Sequence, residues 1–201
     1  KRRRVTARCN ALRQAYAELE RRVEERTGEL AETNRELRDQ IGERERVEMR
    51  LKHQALHDAL TGLPNRACLL DRLGQALIRH RRDDSHRFGV LFLDLDGFKP
   101  VNDRHGHGVG DAVLRVVAGR LAALAGDWAV ARIGGDEFVL LLSDVSSAEE
   151  CAQILARVQE AVCQPVEAAG QFITISASIG VSLYPADNAD PDTLMRHADQ
   201  A

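Results

Sequence analysis

Apolar residues recur every seven positions along the first quarter of the chain: Tyr16, Val23, Leu30, Leu37 and, past Arg44, Leu51. The companion positions are Leu12, Leu19, Arg26, Thr33, Gln40 and Val47, half of them polar. No proline interrupts 7–56, and its only glycines are Gly28 and Gly42. The pattern predicts one long helix over 7–56 whose single good seam pairs in a parallel coiled coil of modest stability. Ile41 falls outside the register, which predicts a local stutter. Such a helix would be about 75 Å long at roughly 1.5 Å per residue. A lone charged helix held by Glu–Arg pairs is the competing reading.

Beyond residue 57 the seven-residue period ends and shorter elements begin. Asp58 to Arg66 is rich in breakers, Thr61-Gly62 and Pro64-Asn65, and predicts a turn. A helix to about Arg81 follows, then the polar loop Asp83-Asp84-Ser85. Phe88 to Leu95 is a near-continuous apolar run, the signature of a strand buried on both faces. The polar, glycine-rich stretch Asn102 to Asp111 predicts a link between a short helix from Pro100 and a longer one over about 109–125. Trp128–Ile133 and Phe138–Leu142 flank two glycines and predict a hairpin with its tip at Gly134-Gly135. Ser147 to Glu150 has capping-box spacing and opens a helix to about Cys163. A strand pair is expected near Phe172–Ile175 and Ser178–Tyr184, with one continuous strand from Thr174 to Gly180 as the alternative. Asp190-Pro191 opens the last helix. The alternation predicts an α/β (α+β) fold, a mixed sheet flanked by helices behind the long coiled-coil helix. The expected boundaries are 1–57 for the coil and 58–201 for the globular domain.

The candidate chemistry lies in the polar residues that interrupt the apolar runs. Asp136 and Glu137 follow the glycines of the hairpin and head a buried strand, where ionised carboxylates are costly unless a cation or donor meets them. Asp94 and Asp96 end the first strand, followed by Gly97, Phe98 and Lys99. Carboxylate oxygens suit a hard divalent cation, Gly97 permits close approach of backbone to phosphate, and Lys99 adds a point charge. Solvated turn acids are the bland alternative for each segment alone; two acidic strand ends together suggest one shared metal. Asn102 and Asp111 could read a guanine edge, a carboxylate accepting from N1–H and the exocyclic amine while adenine presents an acceptor at N1. Helix-cap or loop duty is the competing reading for both. His105 and His107 have no metal-ligand spacing.

Charge and cysteine content narrow the classes. Residues 1–52 carry 15 basic and 11 acidic side chains and the rest of the chain 13 and 20, so +4 precedes −7 and the total is −3. The acidic globular part argues against nucleic acid as a partner, since such binding draws on basic surface. A bound cation would still let it hold a nucleotide triphosphate. Cys9, Cys68, Cys151 and Cys163 have no close paired spacing and read as reduced cytosolic thiols or core fillers, not a zinc site or disulfide frame. No apolar run reaches the roughly 20 residues of a membrane helix, and the residue pattern leads us to expect no signal peptide. Lys1-Arg2-Arg3-Arg4 fits either the cytoplasmic flank of an upstream inner-membrane segment or a solvated helix start. The chain opens without a methionine, as a fragment would.

These motifs, taken in order, resemble the GGDEF family of diguanylate cyclases. The matching pieces are His57 to Arg66, Asp94 to Asp103, Gly106-His107 with Gly110-Asp111, Arg132 to Phe138, and Ser178 to Val181, over about 55–201. The resemblance implies a fold like that of nucleotidyl cyclase and polymerase palm domains, and synthesis of cyclic di-GMP from two GTP. It implies that Asp94, the Leu95 carbonyl and Asp136 hold magnesium, with manganese as the alternative, and that Glu137 adds charge there. It assigns the phosphates to the Gly97 and Phe98 amides with Lys99, and guanine to Asn102 and Asp111. Asp136 is the family's candidate for taking the 3′-hydroxyl proton. Each domain resembles half of an active site, so a homodimer is implied, and an upstream sensor is an expected partner.

Three departures from the family pattern bear on function. Where an inhibitory Arg-x-x-Asp would precede the hairpin, the chain has Ala125 and Trp128, with Asp127 one position out of register. Pro100 occupies a usually non-proline position and is expected to serve as the first helical residue. Family members continue past the Ala198 to Ala201 segment with a lysine and an arginine that bind triphosphate, so the domain's C-terminal end is expected beyond this sequence. A degenerate GTP-binding regulatory domain and a dimerisation module without catalysis remain the alternatives to the enzyme.

Overall fold

A computed structural model describes residues 2–83, 87–126, 128–145, 147–186 and 190–200. Lys1, Asp84, Ser85, Asp127 and Ala201, and the side chain of Cys9, lie outside the described set, so the expectations placed on them go no further. The chain forms two compact units, Lys1–Lys52 and His53–Ala201.

The first unit is helix. α1 (Arg2–Leu56) starts five residues before the expected position and continues into the first residues of the second unit. Exposed pairs along it join Glu18 to Arg21 and Arg22, Arg21 to Glu25, and Glu43 to Arg46. Such pairs add a few tenths of a kcal/mol each. The seam side chains Tyr16, Val23, Leu30, Leu37 and Leu51 are all exposed in the single chain.

In the second unit, the turn after α1 closes on the helix end: Asn65 donates its backbone N–H to Leu56 O and its side-chain amide to Ala55 O. Asn65 Oδ1 accepts from Cys68 N and so caps α2 (Arg66–Arg82). There follow β1 (Phe88–Asp96), α3 (Phe98–His105), α4 (His107–Ala125), β2 (Ala129–Gly134), β3 (Glu137–Ser143), α5 (Ala148–Cys163), β4 (Val166–Ala168), β5 (Gln171–Ile173), β6 (Ser176–Tyr184) and α6 (Pro191–Gln200). Ser147 caps α5 through Glu150 N, and Asp190 caps α6 through Thr193 N and its hydroxyl.

The main sheet has strand order β2-β3-β1-β6. The pleat of β1 sends Leu91, Leu93 and Leu95 to one face and Phe88, Val90 and Phe92 to the other. The first set packs with α4 and α5 through Val113, Val117, Leu121, Ile154 and Val158. The second packs with α2 and α6 through Leu69, Leu73, Leu77 and Leu194. Phe88 through Leu93 are all buried, as expected of a strand covered on both sides.

The α/β class holds, with several corrections of detail. Every described strand pair is antiparallel, so the sheet is not mixed. β1 and β2 do run in the same sense, as a strand–helix–strand connection demands, but β3 lies between them. The hairpin's two loop residues are Gly135 and Asp136, one position later than expected, because Gly134 still pairs with Glu137. Gly135 has φ +50, a conformation that favours glycine. The stretch 102–111 is almost wholly helical; the link between α3 and α4 is Gly106 alone, φ +82. Pro100 is the third residue of α3, not the first, and is tolerated because first-turn N–H groups have no helical partner. The strand at Phe172 pairs with β4, which the sequence reading missed, and not with β6. Thr174 and Ile175 separate it from β6, so no continuous strand runs from 174 to 180.

Candidate active site

The acids collect where β1 ends beside the hairpin tip. Asp94 lies opposite Glu137 in the β1–β3 ladder and opposite Ser178 in the β1–β6 ladder. Leu95 N donates to Asp136 O at 3.3 Å, tying the hairpin turn to β1. By the pleat, Asp94 and Glu137 face the same side as Phe92 and Val139, the side of α2 and α6. Along the β6 edge a cleft of about 510 Å³ reaches Asp94, lined by Phe92, Ser178 and Gly180, by Asp199 of α6 and by Leu155 and Gln159 of α5. A smaller one beside it is lined by Arg66, Glu137, Arg196 and Asp199. An apolar hollow of about 460 Å³ at the other end of β1, among Phe88, Val145, Leu183 and Tyr184, is remote from the acids.

The electrostatics of the cluster are unfavourable for bare carboxylates. Burial, then repulsion from Asp136, Asp96 and Asp199, raises the Asp94 carboxyl above its ordinary value. Burial, then Asp94, Asp199 and Asp136, raises Glu137, with Arg66 partly opposing. Asp96 differs: Ser178 Oγ donates to it at 2.7 Å and Ser176 Oγ at 2.8 Å, which holds its carboxyl below the usual range. The structure therefore brings Asp94, Leu95, Asp136 and Glu137 together and commits Asp96 to β6. A hard cation fits this donor set, since all donors are oxygens and it would relieve the repulsion that raises Asp94 and Glu137. Among the described residues no three His, Cys, Asp or Glu side chains converge as a metal cage. A backbone carbonyl and ligand oxygens would have to complete the shell.

The anion and base candidates are carried by α3 and α4. Gly97, φ +73, precedes α3 without any side-chain cap, so the first N–H groups of the helix, those of Phe98 and Lys99, have no partner there. Lys99 is exposed, and no described residue pairs with it. Asn102 lies against Gly110, the residue before Asp111. Among the described residues the only ion-pair partner of the Asp111 carboxylate is Arg115, at 4.0 Å, and the carboxylate stays half exposed.

A contact between residues 74 apart escaped the sequence reading. Arg132 Nη1 donates to Asp58 Oδ1 at 2.8 Å, and its Nε and Nη2 donate to Gly135 O at 3.1 and 2.7 Å. Asp58 also accepts from the backbone N and hydroxyl of Thr61. Burial would raise Asp58, but the hydrogen bonds from Thr61 and Arg132 and the charge of Arg132 outweigh it and hold the carboxyl low. One guanidinium thus joins the turn after α1 to the hairpin tip. Asp199 and Arg66 were likewise missed; only α6 and α2 packing on one sheet face brings them to the acids.

A helix-flanked antiparallel palm with acids at the end of its central strand is the architecture of a nucleotidyl cyclase-like domain. The chain belongs to the GGDEF family: the family described as "Diguanylate cyclase, GGDEF domain" matches residues 55–201. It is 43% identical over 188 residues to the bifunctional diguanylate cyclase/cyclic di-GMP phosphodiesterase MucR of Pseudomonas aeruginosa, covering 91% of this chain and 25% of that protein. The chain thus spans about a quarter of that relative's length. Among solved structures it resembles a sensory box/GGDEF family protein from Caulobacter crescentus, with TM-score 0.69 and 39% identity, over 73% of this chain and 94% of that one. It also resembles the coiled coil and GGDEF domain of DgcB from Caulobacter crescentus in complex with c-di-GMP, with TM-score 0.71 and 28% identity, over 82% and 89% of the two chains.

Proposed function

We propose that this chain is a diguanylate cyclase that condenses two GTP into cyclic di-GMP and two pyrophosphates across a homodimer. The observation that carries the reading is that Asp94 and Glu137 lie opposite one another on β1 and β3 beside the turn that bears Asp136, with an uncapped α3 N-terminus and both Asn102 and Asp111 in the same unit. Asp94, the Leu95 carbonyl and Asp136 would hold magnesium or manganese, with Glu137 adding charge. The metal would polarise the α-phosphate and neutralise the departing pyrophosphate. The Gly97 and Phe98 amides and Lys99 bind triphosphate oxygens, and Asn102 and Asp111 select guanine. Asp136 stands nearest in role to a base for the 3′-hydroxyl proton. Since one domain holds one GTP, the attacking hydroxyl comes from a second copy. The exposed seam of α1 supports that pairing, with coil geometry setting the approach of two loaded domains.

The substrate and the free Cys68, Cys151 and Cys163 fit the cytoplasm. Among the described residues no helix is long and apolar enough to cross a membrane; an upstream sensor or membrane segment would be supplied by other sequence. A relative named as a cyclic di-GMP phosphodiesterase, PdeR of Escherichia coli, 41% identical over 165 residues, favours one alternative, a GTP-binding domain that regulates a neighbouring phosphodiesterase. Purified protein incubated with GTP and magnesium, its products separated by chromatography, distinguishes the two. Cyclic di-GMP and pyrophosphate are expected; saturable GTP binding with no product would establish the regulatory reading instead.

A further inference from the structure

Asn102 is half-buried, no described residue hydrogen-bonds its side-chain amide, and neither amide atom is sealed from solvent. Something other than hydrogen bonding must hold that amide in place. The candidate is the fourth residue of α4. Gly110 is buried, lies inside the helix and has no positive φ, so backbone freedom does not account for the glycine. Glycine in a helix is disfavoured relative to alanine. A Cβ at Gly108 or Gly119 in the same helix would meet nothing within 4 Å. A Cβ at Gly110 would overlap Asn102 Oδ1, lie 3.0 Å from Asn102 Cγ and press the Phe98 ring edge at 3.2 Å.

We propose that Gly110 is a positioning residue for base recognition: its missing side chain leaves the notch that the Asn102 amide fills. The inference rests on the reading of Asn102 and Asp111 as guanine ligands. The notch fixes the amide next to Asp111, so that both address one edge of a base carrying adjacent ring and exocyclic N–H donors. A methyl group in the notch displaces the Asn102 amide and requires the Phe98 ring edge to give by a few tenths of an ångström, with no backbone atom among its three nearest contacts. α4 tolerates the change, and the cost appears in recognition.

The test uses the full chain in four forms: wild type, Gly110→Ala, Asn102→Ala and the double variant. Calorimetry with magnesium measures binding of the α,β-methylene analogues of GTP and ATP, which do not turn over. Gly110→Ala should weaken the guanine analogue about three- to tenfold, the worth of one hydrogen bond, and leave the adenine analogue unchanged. Asn102→Ala should lose a similar factor, and the double variant should lose no more than Asn102→Ala alone. If Asn102→Ala keeps full guanine affinity, the guanine reading falls and takes this inference with it. If Asn102→Ala loses affinity while Gly110→Ala keeps it, the inference alone is overturned. An equal loss from Gly110→Ala in both backgrounds, or an equal drop in melting temperature in both, also overturns it, because the methyl would then act on packing rather than through Asn102.

Discussion

Replacing Arg132 with alanine should damage the domain and its chemistry together. Arg132 and Asp58 have side-chain exposures of 11% and 23%, and their ion pair measures 2.8 Å. Breaking a fully buried pair costs about 3–5 kcal/mol, mostly through the charge left behind. Here Asp58 keeps two donors from Thr61 and some solvent, which lowers the expected loss to about 2–3 kcal/mol. At roughly 2–4 °C per kcal/mol for a unit of this size, the melting temperature should fall by about 4–12 °C. The Gly135 carbonyl loses two charge-assisted donors as well, so the turn bearing Asp136 loosens and turnover should fall more than GTP affinity does. Arg132→Lys keeps the charge but not the fork and should recover only part of either loss. The pH dependence has a definite sign. Asp58 titrates below its ordinary 3.8 in the folded chain, so the pair's contribution is complete above that value and is lost as pH falls through the folded value. The gap between wild type and Arg132→Ala should therefore be full at neutral pH and close on the acid side. Scanning calorimetry across pH, with cyclic di-GMP production measured alongside, checks this. A variant that melts within about 1 °C of wild type, or a gap that stays constant with pH, would refute the reasoning.

Three further outcomes follow from the geometry. Asp94 and Glu137 are raised above 3.8 and 4.5, so metal-free protein should lose stability as pH rises through that region; Asp94→Asn should melt higher without metal and make no product, and a lower metal-free melting point would count against the repulsion argument. The inhibitory positions hold buried Ala125 and half-buried Trp128, the latter with Arg157 5.9 Å over its ring, so progress curves should show little inhibition by cyclic di-GMP beyond competition with GTP; tight GTP-noncompetitive inhibition would contradict this. Replacing the seam residues Leu30 and Leu37 with alanine should raise the dimer dissociation constant at least about tenfold and lower the rate per subunit on dilution, with GTP binding little changed; full specific activity where sizing shows only monomer would rule out the coil's role.

What the sequence made legible was local. The β1 run and the caps at Ser147 and Asp190 are each set by neighbours within a few residues. The acids at 94, 136 and 137 stood out because charge at the end of an apolar strand is costly. The segment 102–111 misled because glycine and polar residues usually break helices, whereas Gly108 and Gly110 are inside one, the latter against Asn102. The serines that hold Asp96 act across 80 and 82 positions and the arginine that holds Asp58 across 74. No periodicity encodes such distances, and only the strand order brings those side chains into reach. β4 was missed because three residues are too few to show alternation.

The central position of β1 bears on how the protein fails when heated. Its amides pair with neighbours on both edges, and seven of its nine residues are buried. Protection from hydrogen exchange in such a strand approaches the global unfolding free energy. Asp94 rides on that strand, and the turn holding Asp136 is hydrogen-bonded to Leu95. Asp94 and Glu137 are thus paired residues of that sheet, and the turn bearing Asp136 is anchored to it by a backbone hydrogen bond. Thermal inactivation should track complete unfolding, with no window in which a folded domain has already lost its acids' geometry.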